Sequence, residues 1–321
     1  MAISTHYNRI SLSPDFLKEL ENIQTIAFLI IKNDSIYYEK YSDGYSDHSI
    51  SNSFSVAKSV VSTLIGIAID DGKIKSVDQP IADFLPSFKE GNKSNITIKH
   101  LLTMSSGLDW SESYINPFSS VTEAYYGDDL QKLVLHLKPE EKSGQRFSYK
   151  SGDTQLLSLV LEKATGESVS SYMQKKLWQP LGAEQDAQWS TDHLNGNEKA
   201  YCCLFTNARD FARLGSLYLH KGKWHNQQIL SESYIQEALT PASSLVDESN
   251  KPISYYGYQW WLLPDYKKDS IFYARGILGQ YIIVIPSKQV VIVRLGKKRG
   301  EKAGNHYKEV FDIIDEMYRI F

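Results

Sequence analysis

One pair of residues in this 321-residue chain has the types and the spacing of a chemical unit: Ser55 and Lys58, within Ser55-Val56-Ala57-Lys58. On a helix, residues three apart lie one turn above each other on the same face, which brings a hydroxyl to an amine. The setting argues for a helix, because residues 54–69 are apolar around most of the circumference until Asp70-Asp71-Gly72 ends the run. Lys58 is therefore expected inside the protein. A buried lysine loses its preference for the charged form and becomes a proton acceptor, and a serine beside it becomes an activated nucleophile. A Ser-x-x-Lys match is weak alone, since chance supplies about two in such a chain. It occurs once here, and the apolar surroundings of Lys58 bring the chemical reading level with coincidence, leaving both open on these residues alone.

A second group is Phe147-Ser148-Tyr149-Lys150-Ser151-Gly152-Asp153, ahead of an apolar helical run over residues 156–163. Taken alone, Tyr149 reads as a core tyrosine and Ser151 as a helix N-cap. The chemistry gives them a second reading: Ser55 needs an acceptor for its proton, and the ammonium of Lys58 drives a neighbouring phenol toward phenolate. The eight histidines are scattered, with no His-x-x-x-His pair and no Cys-His cluster, so no metal and no cofactor is expected. His100 reads as a packing or hydrogen-bonding residue. No Gly-x-Ser-x-Gly elbow, Walker loop or Gly-x-Gly-x-x-Gly is found, which disfavours α/β-hydrolase, nucleotide and dinucleotide readings.

The elements that must position these groups follow from pattern. Ser13-Pro14 opens a short helix over residues 14–22. Residues 25–31 and 35–41, rich in Ile, Phe and Tyr around Lys32-Asn33-Asp34, read as a hairpin. Near the other end, residues 271–274, 281–285 and 290–295 read as strands, with Pro286-Ser287-Lys288 as a turn. Val310, Phe311, Ile313, Ile314, Met317, Tyr318 and Phe321 recur at near-helical spacing, predicting a C-terminal helix over one sheet face. Strands at both ends and helices between them predict an α+β protein with one antiparallel sheet assembled from the two termini. A single catalytic domain with two lobes follows: a sheet lobe of about residues 1–55 and 255–321, and a helical lobe of about 56–254, meeting at a cleft. Residues 109–129 read as a long aromatic loop; Trp110, Tyr114 and Tyr126 either line a substrate pocket or anchor the loop. Tyr258, Trp260 and Trp261 read as core residues under the sheet.

Composition bounds the partners. With 42% apolar, 12% aromatic and 23% charged residues the chain has the proportions of a globular protein, and disorder, collagen and coiled coil are excluded. The net charge is −3 and there is no run of five basic residues, so nucleic acid is not an expected partner. Cys202 and Cys203 are adjacent, a sterically poor arrangement for a bridge, so no structural disulfide is expected. Residues 1–10 are polar and lack a signal-peptide core, which predicts a cytoplasmic location as written and a periplasmic one if a leader was removed. The longest apolar run, residues 60–69, falls well short of the ~20 needed for a membrane span, so no transmembrane segment is expected.

Ser55-Val56-Ala57-Lys58, Tyr149-Lys150-Ser151 and Gly276-Ile277-Leu278-Gly279-Gln280-Tyr281 together resemble the three motifs of serine hydrolases related to class C β-lactamases and DD-peptidases. Residues 96–108, Leu177-Trp178-Gln179-Pro180-Leu181-Gly182 and residues 207–215 resemble that family too, so the similarity runs from about Thr25 to Leu295. Three ordered motifs with flanking matches are far more specific than one. The resemblance implies a β-lactamase/DD-peptidase-like fold: a five-stranded antiparallel sheet flanked by helices, plus an all-helical lobe.

It also implies roles. Ser55 would attack a carbonyl to give an acyl-enzyme, Lys58 and Tyr149 would carry its proton to the leaving group, and Ser151 would bond substrate or Lys58. The backbone N–H groups of Ser55 and of Gln280, the latter after Gly279 on an edge strand, would form the oxyanion hole. Ile277 stands where the family usually has Lys or His, and Ser151 where it usually has Asn. The lost cation argues against an efficient β-lactamase and points to the esterase and 6-aminohexanoate-dimer hydrolase branch, acting on a small ester, amide or peptide. A DD-carboxypeptidase or weak β-lactamase is the alternative, with Arg275 as a replacement charge or else a solvated surface residue. A penicillin-binding sensor that acylates with little turnover is the alternative of another class. The substrate and the oligomeric state stay open.

Overall fold

The computed structural model describes residues 1–321. We number only the strands of the main sheet and the helices that frame the site. The sheet contains β1 (Ala2–Ile3), β2 (Thr25–Lys32), β3 (Ser35–Tyr41), β4 (Trp261–Leu263), β5 (Ile271–Gly276), β6 (Gln280–Ile285) and β7 (Val290–Gly296), in the order β1-β3-β2-β7-β6-β5-β4. Seven strands replace the five expected. The two additions are the edges: β1 pairs parallel with β3, and β4 pairs antiparallel with β5. Segments of two and three residues are too short to show a period of two, which is why the sequence pattern missed them. No helix is long and apolar enough to cross a membrane.

Alternation along the strands builds two faces. Ile30, Ile292, Ile283, Tyr273 and Trp261 are register partners in a row across β2, β7, β6, β5 and β4, all in one core cluster. Their neighbours Leu29, Val293, Ile282 and Ala274 form the row on the opposite face, in the second cluster. Each cross-strand pair adds only ~0.2–1 kcal/mol, so the rows act by joining both ends of the chain into one surface.

Helices cover both faces. On the first lie α1 (Pro14–Asn22), through Phe16 and Leu20, and α5 (Lys308–Ile320), through Val310, Ile313, Ile314 and Met317. Their apolar residues keep the i, i+3, i+4 spacing of one helical stripe. Ser13 caps α1 as its position implied, accepting from the Phe16 N–H at 3.4 Å, and its own N–H donates to Glu316 of α5 at 2.6 Å. Against the other face lies α4 (Ala208–Leu219), with α2 (Val56–Asp70) packed beside it and α3 (Ser151–Thr165) against α2.

The expectation for Cys202 and Cys203 is overturned. They form a disulfide, with their Cα atoms 3.8 Å apart, and Cys203 takes a left-handed φ of 66° that turns its side chain back toward its neighbour. The aromatic loop is also more ordered than expected, since residues Ser120–Tyr126 form a helix capped by Ser119.

Gly215 allows the approach of α4 to the sheet. A Cβ there would lie 2.5 Å from Val291 Cγ1 and 2.8 Å from Ile282 Cγ2, both in the packed core. Gly215→Val is therefore expected to lower stability by about 1–3 kcal/mol through overpacking, read as a lower urea midpoint at unchanged slope. An unchanged midpoint would contradict this packing.

Candidate active site

The turn into α2 fixes Ser55. Phe54 sits at a left-handed φ of 44°, a conformation a bulky residue adopts only when its surroundings enforce it. Those surroundings are the Asn52 Oδ1 that accepts from Phe54 N–H at 2.8 Å, and the Ser53 N–H that donates to Leu204 O at 2.8 Å. Ser55 follows as the cap of α2, 9% exposed, with its backbone N–H free of any protein acceptor.

Lys58 is 1% exposed, as its apolar helix predicted. Its Nζ meets three oxygens: Ser55 Oγ at 3.0 Å, Ser151 Oγ at 3.0 Å and the Tyr201 carbonyl at 2.8 Å. Burial pushes its pKa down to about 8, with the charge of Glu112 acting in the opposite direction. The amine is thus available as a base near neutral pH.

Tyr149 joins the group, with Lys58 Nζ 5.2 Å from its ring centre. The expected drive toward phenolate does not hold. Burial raises the phenol's pKa and Glu112 raises it further, outweighing the lowering effects of Ser55 and Arg275. Tyr149 is held as a neutral proton donor.

Sequence reasoning passed over Glu112, the carboxylate that organises the far side of the site. Its Oε1 accepts from Ser151 Oγ at 2.6 Å and from Tyr114 Oη at 2.8 Å; its Oε2 accepts from Ser151 N–H at 2.8 Å and Trp110 Nε1 at 2.6 Å. Four charge-assisted bonds bring Trp110, Tyr114 and Ser151 together. The signal available in the sequence was one acid between Trp110 and Tyr114 in an aromatic stretch. Trp110 is buried over Gly152, where a Cβ would lie 2.5 Å from Trp110 Cε3. Tyr126, by contrast, is 88% exposed and stays outside this arrangement. The Tyr201 carbonyl was missed because a main-chain ligand leaves no mark in residue type. His100 lies elsewhere, its Nδ1 accepting from the Thr97 N–H at 3.1 Å.

The third motif has a different geometry from the one expected. Ile277-Leu278-Gly279 is the turn between β5 and β6, with left-handed φ at Leu278 and Gly279. Gln280 starts β6, an interior strand, opposite Gly276, and its side chain donates to Gly296 O at 2.7 Å. The expected edge-strand position of Gln280 is thus incorrect, because β4 and β5 extend the sheet beyond it. The residue that touches the Ser55 turn is Gly276, where a Cβ would be 2.4 Å from Ser53 O and 3.1 Å from Phe54 Cβ. The next N–H, that of Ile277, has no protein acceptor. Ile277 itself is half-buried. Arg275 is half-buried: its guanidinium stacks 3.3 Å from the Trp261 ring centre, and Nη1 donates to Asn305 O at 2.9 Å in an exposed bond.

The comparisons with known proteins agree with this architecture. The model of the β-lactamase family matches residues 15–313. The chain belongs to the β-lactamase family. Among curated members of known name it is 28% identical over 302 residues to the 6-aminohexanoate-dimer hydrolase of Paenarthrobacter ureafaciens, covering 88% of this chain and 75% of that protein. The structure resembles a Bacillus anthracis protein provisionally named a 6-aminohexanoate-dimer hydrolase, with TM-score 0.81, 23% identity, and coverage of 94% of this chain and 80% of the other. It also resembles a family VIII carboxylesterase, with TM-score 0.72, 16% identity, and coverage of 97% and 98%.

The close contact at Gly276 gives a test of the geometry. Gly276→Val is expected to displace the strand end from the Ser53-Phe54 turn and reduce kcat/KM for a p-nitrophenyl ester by about 100-fold, with the cooperative melt retained. Wild-type kinetics in that variant would show that the contact does not position the site.

Proposed function

We propose that this chain is a serine hydrolase that cleaves small esters or amides through an acyl-enzyme on Ser55. The observation that carries the reading is the buried Lys58 amine 3.0 Å from Ser55 Oγ, with a pKa brought down to about 8. Neutral Lys58 takes the Ser55 proton as Oγ bonds to the substrate carbonyl carbon. Two unpartnered main-chain donors, Ser55 N–H and Ile277 N–H, support an oxyanion hole built from these residues, in place of the Gln280 N–H expected from the motif. Tyr149, held neutral, gives a proton to the leaving oxygen or nitrogen, and Lys58 resupplies it. Water then attacks the acyl-enzyme along the same proton path. No step calls for a metal or cofactor. The names of the relatives, a 6-aminohexanoate-dimer hydrolase and a carboxylesterase, support ester or amide substrates.

Ser55→Ala is expected to abolish fluorophosphonate labelling and lower turnover of p-nitrophenyl acetate by about 10⁴-fold or more. Because Lys58 must be neutral to accept a proton, wild-type kcat/KM should rise with pH through about 8 and level off above it. Retained labelling in Ser55→Ala, or a profile flat from about pH 6 to about pH 9, would overturn the assignment.

One observation favours the carboxylate-bearing substrates of a peptidase or β-lactamase reading: the Arg275 guanidinium, stacked on Trp261, whose charge reaches Tyr149. If it binds a substrate carboxylate, Arg275→Ala should raise KM for nitrocefin by about 10- to 100-fold while leaving a neutral ester within about threefold. Equal effects on both substrates would remove that reading.

A further inference from the structure

The three oxygens around Lys58 Nζ differ in what they can do. The Tyr201 carbonyl can only accept a hydrogen bond, whereas the hydroxyls of Ser55 and Ser151 can donate or accept. The direction at Ser151 is decided by its other partner. Ser151 Oγ lies 2.6 Å from Glu112 Oε1, and a carboxylate only accepts, so the Ser151 proton belongs to that bond. All four groups that bond the Glu112 carboxyl, Ser151 N–H and Oγ–H, Trp110 Nε1–H and Tyr114 Oη–H, are donors, so both of its oxygens act as acceptors. Ser151 Oγ is left with only lone pairs to offer Lys58.

The consequence falls on the free amine. Neutral Lys58 has two N–H bonds and one lone pair. Tyr201 O and Ser151 Oγ both require a donor, so they take the two N–H bonds. The lone pair that remains points at Ser55 Oγ, the third neighbour. We propose that Glu112 is a positioning residue that acts through the Ser151 hydroxyl, fixing the hydrogen-bond polarity around Lys58 so that the only free lone pair of the amine is directed at Ser55. The inference rests on Ser55 and Lys58 being nucleophile and base, and adds the group that aims the base.

Without the carboxylate the polarity is free to reverse. In Glu112→Gln an amide N–H can donate to Ser151 Oγ, whose own proton can then turn to the Lys58 nitrogen and occupy the lone pair. The field at Lys58 changes as well. Its other close neighbours are the rings of Tyr149 at 5.2 Å and Tyr201 at 5.6 Å, with Tyr125 packed on Tyr201. Asp153, bonded to Ser106, and Arg275 lie beyond, acting on Tyr256 and Tyr149. Glu112 is the charge that holds the Lys58 proton more tightly, so removing it should release that proton at lower pH.

The rate of fluorophosphonate labelling at Ser55, followed against pH, reads both effects without a natural substrate. For Glu112→Gln we expect a plateau about 10- to 100-fold below wild type, at or below the lower end of general-base contributions because the base itself remains, and a limb displaced to lower pH. In a Ser151→Ala background the same substitution should change the plateau by less than about threefold, because the hydroxyl that transmits the polarity is gone. Should Glu112→Gln lose its cooperative melt, Glu112→Asp is the variant to measure; it keeps the charge and should keep the wild-type limb with less than about a tenfold loss of rate. A wild-type plateau and limb in Glu112→Gln, an undiminished effect in Ser151→Ala, or a displaced limb in Glu112→Asp overturns the proposal. Labelling that persists in Ser55→Ala instead overturns the underlying hydrolase reading.

Discussion

The structure of this site depends on keeping one amine away from water. A buried charge without partners costs several kcal/mol, and Lys58 meets that cost in two ways: three oxygens surround Nζ, and the group gives up its proton more readily than a lysine in solvent. Everything nearby serves this balance. The apolar residues of α2 exclude water, the Tyr201 carbonyl and Ser151 hydroxyl hold the amine, and Glu112 keeps the proton affinity from falling further. The same burial keeps Tyr149 protonated. Desolvation therefore divides the work, with a lysine able to accept a proton and a tyrosine able to give one.

The sheet contributes through close backbone approaches. Gly276 lets the end of β5 touch the Ser53-Phe54 turn, Gly152 lets Trp110 lie over the start of α3, and Gly215 lets α4 settle on β6 and β7. In each place a Cβ would collide with a packed atom. Phe54 shows the other side of this arrangement, a left-handed residue kept in place by Asn52, immediately before Ser55. Such strain is tolerated when the surrounding bonds over-determine the turn.

Much of this was legible in the sequence where side-chain type and periodicity carry the information. The long strands, the Ser13 cap of α1, the buried Lys58 and its approach to Ser55 follow from alternation, spacing and hydrophobic setting, whereas the Ser151 contact with Lys58 was implied only by the family resemblance. The two edge strands were too short to carry a period. The Cys202–Cys203 bridge depends on one left-handed residue that composition does not reveal. Glu112 lies 39 residues from Ser151 in the chain, so only the fold brings its carboxylate to the serine. The motif containing Ile277, Gly279 and Gln280 was found, but Gln280 lies on the interior strand β6 because β4 and β5, the former too short to read from pattern, extend the sheet beyond it. Main-chain donors such as Ile277 N–H are chosen by such turns and leave no signature in residue type.

The central claim is that Ser55 carries the acyl group. Rapid acid quenching of the protein during turnover of p-nitrophenyl acetate, followed by tandem mass spectrometry, locates the adduct directly. The account predicts a single acetyl group on Ser55, formed and lost on the timescale of turnover. Turnover with acetylation confined to another residue, or with no acyl-enzyme under conditions where deacylation limits the rate, would contradict it.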